Sequence, residues 1–375
     1  MTALVRARLP HSSVELSTPA WRNDPSSAIH DASSSSKLPT KGSPEPGGDA
    51  AATPQPSRAI AAIDHPSGYL ALSERNTLFT RDGLPGFISY REQGRHRVAF
   101  GGVHAPEPAR APLLDAFLAE AELQRRRVLA VQVREAQGDL FRSRGFTVNR
   151  FGASYGVELP QYSFAGQRKV NLRNKLKRAR ALGLSVGEVG REVPNDDATF
   201  AQLKQISDAW LGKKKKKELD FMIGELGRPG HPDRRVFVVR DASHRMLAFI
   251  TYVPAYGQRA GWLHDLTRRV PDAPVGCMEL CNQFAMERLG GEGAQWLHFG
   301  FTPFLVDGAD GPGASALLGW ALRMLGRFGS TVYPARRQRE YKKKWVPDVV
   351  EPELVACRPL SLRAVWDLLL LTRSV

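Results

Sequence analysis

Two acids and an arginine stand close together in the stretch from Trp262 to Phe304: Asp265, Arg268 and Glu279. The surrounding pattern reads strand, loop, helix, strand. Trp262 to Leu266 alternates apolar and polar residues as a half-buried strand does. A polar loop punctuated by Pro271 and Pro274 leads to Gly276, after which Met278, Leu280, Cys281, Phe284, Ala285 and Leu289 recur at helical spacing. Gly290-Gly291 ends the helix, and Trp296 opens the next strand. The three ionic residues therefore fall where a strand ends and a helix begins, the rim at which α/β proteins commonly handle ligands. Carboxylates there suit acid–base work, and a guanidinium suits an anionic group. The bland alternative is an Asp265–Arg268 ion pair that only holds the loop. His264 alternates to the opposite sheet face from Asp265 and receives no role. No Ser-His-Asp or Cys-His arrangement competes.

Three basic elements flank this rim. Arg168 to Arg180 reads as a helix with seven cations and no acid. Leu172, Leu176 and Ala179 share one face; Lys169, Arg173, Lys177 and Arg180 share another. Cations without acids repel one another along a helix, so an anionic partner is the economical explanation, against a merely solvated face. Lys213 to Lys217 is a run of five lysines, a mobile loop or a further contact through Lys213, Lys214 and Lys215. In Arg336 to Trp345, Tyr341 and Trp345 are one turn apart and pack inward, with Lys342 and Lys344 flanking them.

The totals agree with a polyanionic partner. Lys and Arg number 53 against 38 Asp and Glu, a net charge of +15, favouring nucleic acid or an anionic membrane. An Arg-rich genome is the alternative. Cys277, Cys281 and Cys357 form no disulfide framework and read as core residues. No run reaches the ~20 apolar residues of a membrane span, and the N-terminus lacks the apolar segment of a signal peptide. These features imply a cytoplasmic protein, with a peripheral place on the inner face of a membrane left open.

Residues 1–57, rich in Ser, Pro, Gly and Ala, cannot bury enough apolar surface to offset chain entropy and read as a disordered tail. Residues 58–160 read as a mixed α/β unit. Its short strands fall at Tyr69–Leu72, Asn76–Phe79, Gly86–Tyr90, Arg97–Phe100 and Val128–Val133, with a helix through Leu113 to Leu123. Residues 161–355 repeat that grammar, and 356–375 read as an amphipathic helix packed on this second unit, or touching a membrane surface. The expected fold class is α/β with mixed sheets, as two tandem units.

Several phrases, in this order and spacing, then carry a resemblance: Asn171-Leu172-Arg173-Asn174; Ser207-Asp208-Ala209-Trp210-Leu211; Asp265-Leu266-Thr267-Arg268; Pro271 to Glu279; Phe299-Gly300-Phe301-Thr302-Pro303; and Tyr341-Lys342-Lys343-Lys344-Trp345. From about residue 65 onward the chain resembles the C-terminal domain of bacterial phosphatidylglycerol lysyltransferases, the aminoacyl-phospholipid synthases. The resemblance implies two GNAT-like domains with the active centre in the second. It also implies transfer of an aminoacyl group from aminoacyl-tRNA to a lipid hydroxyl, with no metal and no cofactor beyond the tRNA co-substrate. Relatives of this type carry a many-helix membrane domain ahead of this one; a tail stands there here, so product flipping is not expected. Related soluble enzymes use other hydroxyl acceptors.

Transesterification needs a ligand for the substrate ammonium, a base, and a stabiliser for the tetrahedral oxyanion. Asp265 and Glu279 are the candidate ammonium ligand and base, in either order. Arg268, Lys342 and Lys344 are candidates for the oxyanion or the terminal phosphates, and Gly300, Pro303 and Tyr341 for the substrate pocket. A coenzyme A-dependent acetyltransferase is the rival, but Asp272 to Cys277 offers one glycine and a proline where pyrophosphate binding wants free N–H groups. A basic RNA- or membrane-binding module is the non-enzymatic rival.

Overall fold

The computed structural model describes residue 60 and residues 62–214, 221–222, 224–304, 308–328 and 334–373. The expected tail, residues 1–57, lies outside them. In the first half, β1 (Thr77–Arg81), β2 (Leu84–Gln93) and β3 (His96–His104) form an antiparallel meander. Helix α1 (Glu107–Leu123) crosses back to β4 (Arg127–Arg134), which runs parallel to β3, as a parallel pair requires. A short α2 (Gly138–Arg142) then returns into β5 (Thr147–Glu158). Tyr69–Leu72, expected as a strand, is instead part of a 3-10 turn, Gly68–Leu72. It packs Leu70 and Ala71 into the core beside Phe87 and Phe100.

The second half repeats the order. It runs through α3 (Val170–Ala181), β6 (Ser185–Glu188) and α4 (Asp197–Lys214) to an antiparallel set of β7 (Arg235–Arg240), β8 (Met246–Ala255) and β9 (Gly261–Arg269). Helix α5 (Cys277–Gly291) crosses over to β10 (Trp296–Pro303), parallel to β9. Helices α6 (Ala316–Phe328) and α7 (Ala335–Lys343) precede β11 (Val349–Arg358) and α8 (Leu362–Leu371). The expected mixed α/β class is what the chain adopts.

All eleven strands among the described residues join one sheet, in the order β1-β2-β3-β4-β11-β5-β10-β9-β8-β7-β6. The closing strands are exchanged: β11 pairs with β4, and β5 pairs with β10. Each half thus borrows its last ladder from the other. The residues 356–358 expected in a terminal helix complete β11, and α8 begins four residues later. That helix, expected on the second half, packs mainly on β2 and β3 of the first. Its Asp367 is wholly buried and accepts from the Arg95 backbone N–H (3.3 Å) while bonding His96 Nδ1 (2.7 Å). Ser361 caps its N-terminus, accepting from the Ala364 N–H.

Two faces of the second half's sheet are covered differently, and this decides where its polar residues go. Phe237, Ile250, Tyr252 and Trp262 point to α3 and α5, packing on Leu172, Leu176, Cys281 and Leu289. The alternate residues Val236, Val238 and Phe249 point to α4, against Leu203 and Ile206. A bulge where β8 meets β9, between Ile250/Thr267 and Tyr252/His264, then resets the alternation.

Candidate active site

Helix α5 starts at Gly276, which has φ +96°. A Cβ there would sit 2.3 Å from the Lys175 carbonyl oxygen, so glycine is required both for the left-handed turn and for the approach of α3 to the helix mouth. That approach fills the space in front of the mouth and brings Lys175 onto α5. Glu279, in the first turn of α5 and 6% exposed, is held by two lysines: Lys175 Nζ at 3.2 Å and Lys344 Nζ at 2.6 Å. Burial alone would raise its pKa, but the Lys344 and Lys175 charges prevail and hold the carboxyl below its ordinary value. The cluster joins two ammoniums to one carboxylate, a net charge of +1.

Lys344 also lies over the Tyr341 ring, 4.2 Å from its centroid. Tyr341 stacks edge-on to His264 and Trp345, and its buried hydroxyl lacks a hydrogen-bond partner among the described residues. The neighbouring Lys342 turns the other way. Its Nζ is buried and donates to the Gly300 and Phe301 carbonyls at 2.7 and 3.0 Å, capping a bulge in β10. Burial pulls its pKa down to about 7, the Glu353 charge opposing. Glu353, also buried, bonds Ser154, and burial pushes its carboxyl up to about 8.

The expected convergence of Asp265, Arg268 and Glu279 does not occur. Alternation puts Asp265 on the α4 face, and the β8–β9 bulge brings Arg268 to that face too, opposite Glu279. Asp265 pairs with Arg234 at 2.7 Å, both side chains almost fully buried, and accepts from the Gly224 N–H at 2.8 Å. The alternative Asp265–Arg268 pair is not formed either: Arg268 donates to Ser207 Oγ (3.2 Å) and lies 5.0 Å over the Trp210 ring. Beside Arg234 a narrow cleft is lined by Asn195, Phe200, Arg228 and His231.

His264, set aside on the sequence, faces the α5 side as its alternation from Asp265 requires, and that side holds the lysine cluster. It bonds Thr267 and lies against Tyr252, Phe299 and Tyr341. Burial lowers its pKa to about 3, with Lys342 adding to the effect, so the ring is neutral. Tyr252 donates to Asn282 of α5 beside it. Lys175, Asn282, Tyr252 and Arg234 were not singled out in the sequence. Lys175 alone carried a signal, as a cation within the acid-free helix.

In α3, Leu172, Leu176 and Ala179 are buried as expected. The cationic face is divided. Lys169 donates to the Ser163 carbonyl and sits over Tyr162, and Arg173 donates to the Phe164 and Gly166 carbonyls. Arg180 reaches Gln283 at 2.9 Å, and Lys177 is exposed. Lys213 and Lys214 end α4, while Lys215 lies outside the described residues. Gly300 accepts from Lys342, and Pro303 ends β10 against Gly152.

Residues 58–357 match the family "Phosphatidylglycerol lysyltransferase, C-terminal". The chain is 26% identical over 211 residues to the phosphatidylglycerol lysyltransferase of Staphylococcus aureus (strain COL), covering 56% of this chain and 24% of the relative. It is 25% identical over 211 residues to the enzyme of that name from Staphylococcus epidermidis, with the same coverage. The chain thus spans about a quarter of the length of these relatives. Among solved structures, L-PGS from Bacillus licheniformis shares the fold with TM-score 0.69 at 20% identity, over 85% of this chain and 96% of that one. A C-terminal domain (DUF2156) from Agrobacterium fabrum does so with TM-score 0.69 at 22% identity, over 84% and 96%. The chain belongs to the phosphatidylglycerol lysyltransferase C-terminal family.

Proposed function

We propose that the protein transfers an aminoacyl group from aminoacyl-tRNA to the hydroxyl of a phospholipid such as phosphatidylglycerol. The observation that carries this reading is the Lys175–Glu279–Lys344 cluster at the mouth of α5, in a chain of this family. The acceptor oxygen attacks the carbonyl carbon of the aminoacyl ester at the tRNA 3′ end; its proton passes to a base, and the ribose oxygen leaves as it takes a proton. Lys344, partly exposed and held on Glu279, is positioned to face the oxyanion, a task for a charged donor in a water-poor site. Lys342 is the candidate base. With two N–H groups given to the Gly300 and Phe301 carbonyls, its neutral amine keeps a lone pair, and its pKa near 7 populates that form at neutral pH.

The neutral polar wall of Tyr341, His264 and Asn282 suits the substrate's amino-acid end. Lys177 and the exposed Arg168 and Arg178 of the α3 region suit the tRNA backbone. Asp265 and Arg268 stay candidates for a contact made from the α4 face. The reading invokes no cofactor besides the tRNA co-substrate. Among the described residues no helix is long and apolar enough to cross a membrane, and the encounter proposed here with the lipid is peripheral.

The test is incubation of the purified chain with a labelled, charged tRNA pool and phosphatidylglycerol vesicles. Label moving into an RNase-resistant, chloroform-soluble product is expected. Label remaining on tRNA with lipid present, but moving to a water-soluble hydroxyl compound, would replace the lipid by another acceptor.

A further inference from the structure

A concavity among the described residues lies away from this cluster, in the first half. It has a volume of about 240 Å³ and is lined by Arg125, Arg126, Arg127, Arg358, Glu122 and Pro359, among others. Four guanidiniums against one carboxylate is an unusual wall for a protein to leave open, because like charges repel unless an anion joins them. Arg126 is engaged by Glu92 and the Gly94 carbonyl, and Arg358 by the Arg144 carbonyl. The guanidinium groups of Arg125 and Arg127, two exposed residues, have neither hydrogen-bond nor ion-pair partners among the described residues.

Apolar side chains stand exposed beside these charges. Leu123, at the end of α1, is 84% exposed, the most exposed large hydrophobic residue described. The cavity wall runs through Pro359 into α8, whose outer face shows Trp366 (50% exposed), Leu370 (37%) and Arg363. Backbone hydrogen bonds join the two parts: the Arg127 N–H donates to the Arg95 carbonyl, and the Arg95 N–H donates to Asp367 on the inner face of α8. Apolar tips and arginines stand along the rim where β4 begins and β11 ends, with α1 on one sheet face and α8 on the other, a combination that matches a surface with anionic headgroups over hydrocarbon. Free phosphate would explain the arginines alone.

Strand directions relate this edge to the cluster at α5. Strand β4 is antiparallel to β11, β11 to β5 and β5 to β10, while β10 is parallel to β9. The start of β4 therefore shares a sheet rim with the end of β9, where the chain enters the α5 loop. We propose that Arg125, Arg127, Arg358 and Leu123, with the outer face of α8, form a docking surface for an anionic phospholipid bilayer. This deepens the reading above, since it supplies the bilayer in which a lipid acceptor resides, but its test does not depend on transfer.

The full chain is mixed with vesicles of phosphatidylcholine containing about one-third phosphatidylglycerol, and with vesicles of phosphatidylcholine alone, and bound protein is measured by flotation. Binding to the anionic vesicles only, weakening with salt, is expected. An arginine near an anionic surface contributes roughly a fivefold gain in partition, so Arg125→Glu with Arg127→Glu should weaken binding by at least about thirtyfold. Leu123→Asp and Trp366→Ser should weaken it separately, and all variants should keep the parent's thermal transition. Equal binding by the arginine variant and the parent, or equal binding to neutral vesicles, overturns the proposal. So does displacement from anionic vesicles by inorganic phosphate at matched ionic strength, or by RNA through these same arginines, which would assign the cavity to a free anion or a nucleic acid. Transfer to a detergent-dispersed lipid acceptor should be unchanged in the variants. Loss of all transfer in the parent, with vesicle binding intact, would count against the aminoacyltransferase reading and leave the docking surface standing.

Discussion

The two halves share an order of elements but differ at the turn where each meander enters its crossover helix. In the first half only residues 105–106 separate β3 from α1. The buried ionisable residue there, His104, stacks on Phe87 and is held neutral, burial lowering its pKa to about 4. In the second half residues 270–276 separate β9 from α5, and the first helical turn buries a carboxylate between two ammonium groups. A short turn seals the junction with apolar packing. A longer loop, with α3 laid across the helix mouth at Gly276, admits charge. The same scaffold therefore builds an apolar end in one half and a charged end in the other.

The comparison is broken most directly at the charges. Lys344→Ala should reduce aminoacyl transfer by about 10²–10³-fold, the scale of losing one preorganised oxyanion donor, with little change in the thermal transition. Glu107→Gln, the matching first-turn carboxylate of α1, should leave the rate unchanged. Asp265→Ala should act on stability instead. It strands Arg234 in a nearly dry environment, a loss of roughly 3–5 kcal/mol that urea unfolding would register; an unaltered unfolding midpoint with lost transfer would return Asp265 to the chemistry.

The pH profile sharpens the role of Lys342. Its folded pKa is depressed to about 7, so the amine is free above that value and protonated below it. The rate should rise with pH through about 7. Lys342→Arg, which stays charged throughout, should remove the rising limb. A limb unchanged in that variant would move the base elsewhere. The smallest effect concerns the basic helix. Lys177→Glu should weaken tRNA binding and flatten its salt dependence, each lost phosphate contact lowering the slope by about 0.7–0.9. Lys169→Gln should do less to the slope, because that ammonium already serves the Ser163 carbonyl.

Much of the scaffold was legible in the sequence because it rests on periodicity. The strand at Trp262, the helix after Gly276 and the buried stripe Leu172, Leu176 and Ala179 all follow from spacing. The site was legible only in part. Alternation alone separates Asp265 from His264 correctly, but which face gathers the charges depends on α3 packing with α5 and on Lys344 meeting Glu279, contacts far apart in sequence. The Lys175–Glu279 pair spans 104 positions, and no local pattern announces it. The exchange of β5 and β11 is equally invisible, since each strand reads the same whichever neighbour it joins. For α8 the amphipathic pattern predicts a helix, while its docking on the first half rests on Asp367 meeting His96.

The central claim is that chemistry belongs to the second half's junction. It is tested by labelled aminoacyl transfer to phosphatidylglycerol, with parent, Lys344→Ala and Glu107→Gln chains assayed side by side with and without charged tRNA. The account predicts labelled lipid from the parent and Glu107→Gln chains only when charged tRNA is present, and nearly none from Lys344→Ala. Equal product from Lys344→Ala, or acyl transfer from acetyl-coenzyme A with tRNA withheld, would contradict it.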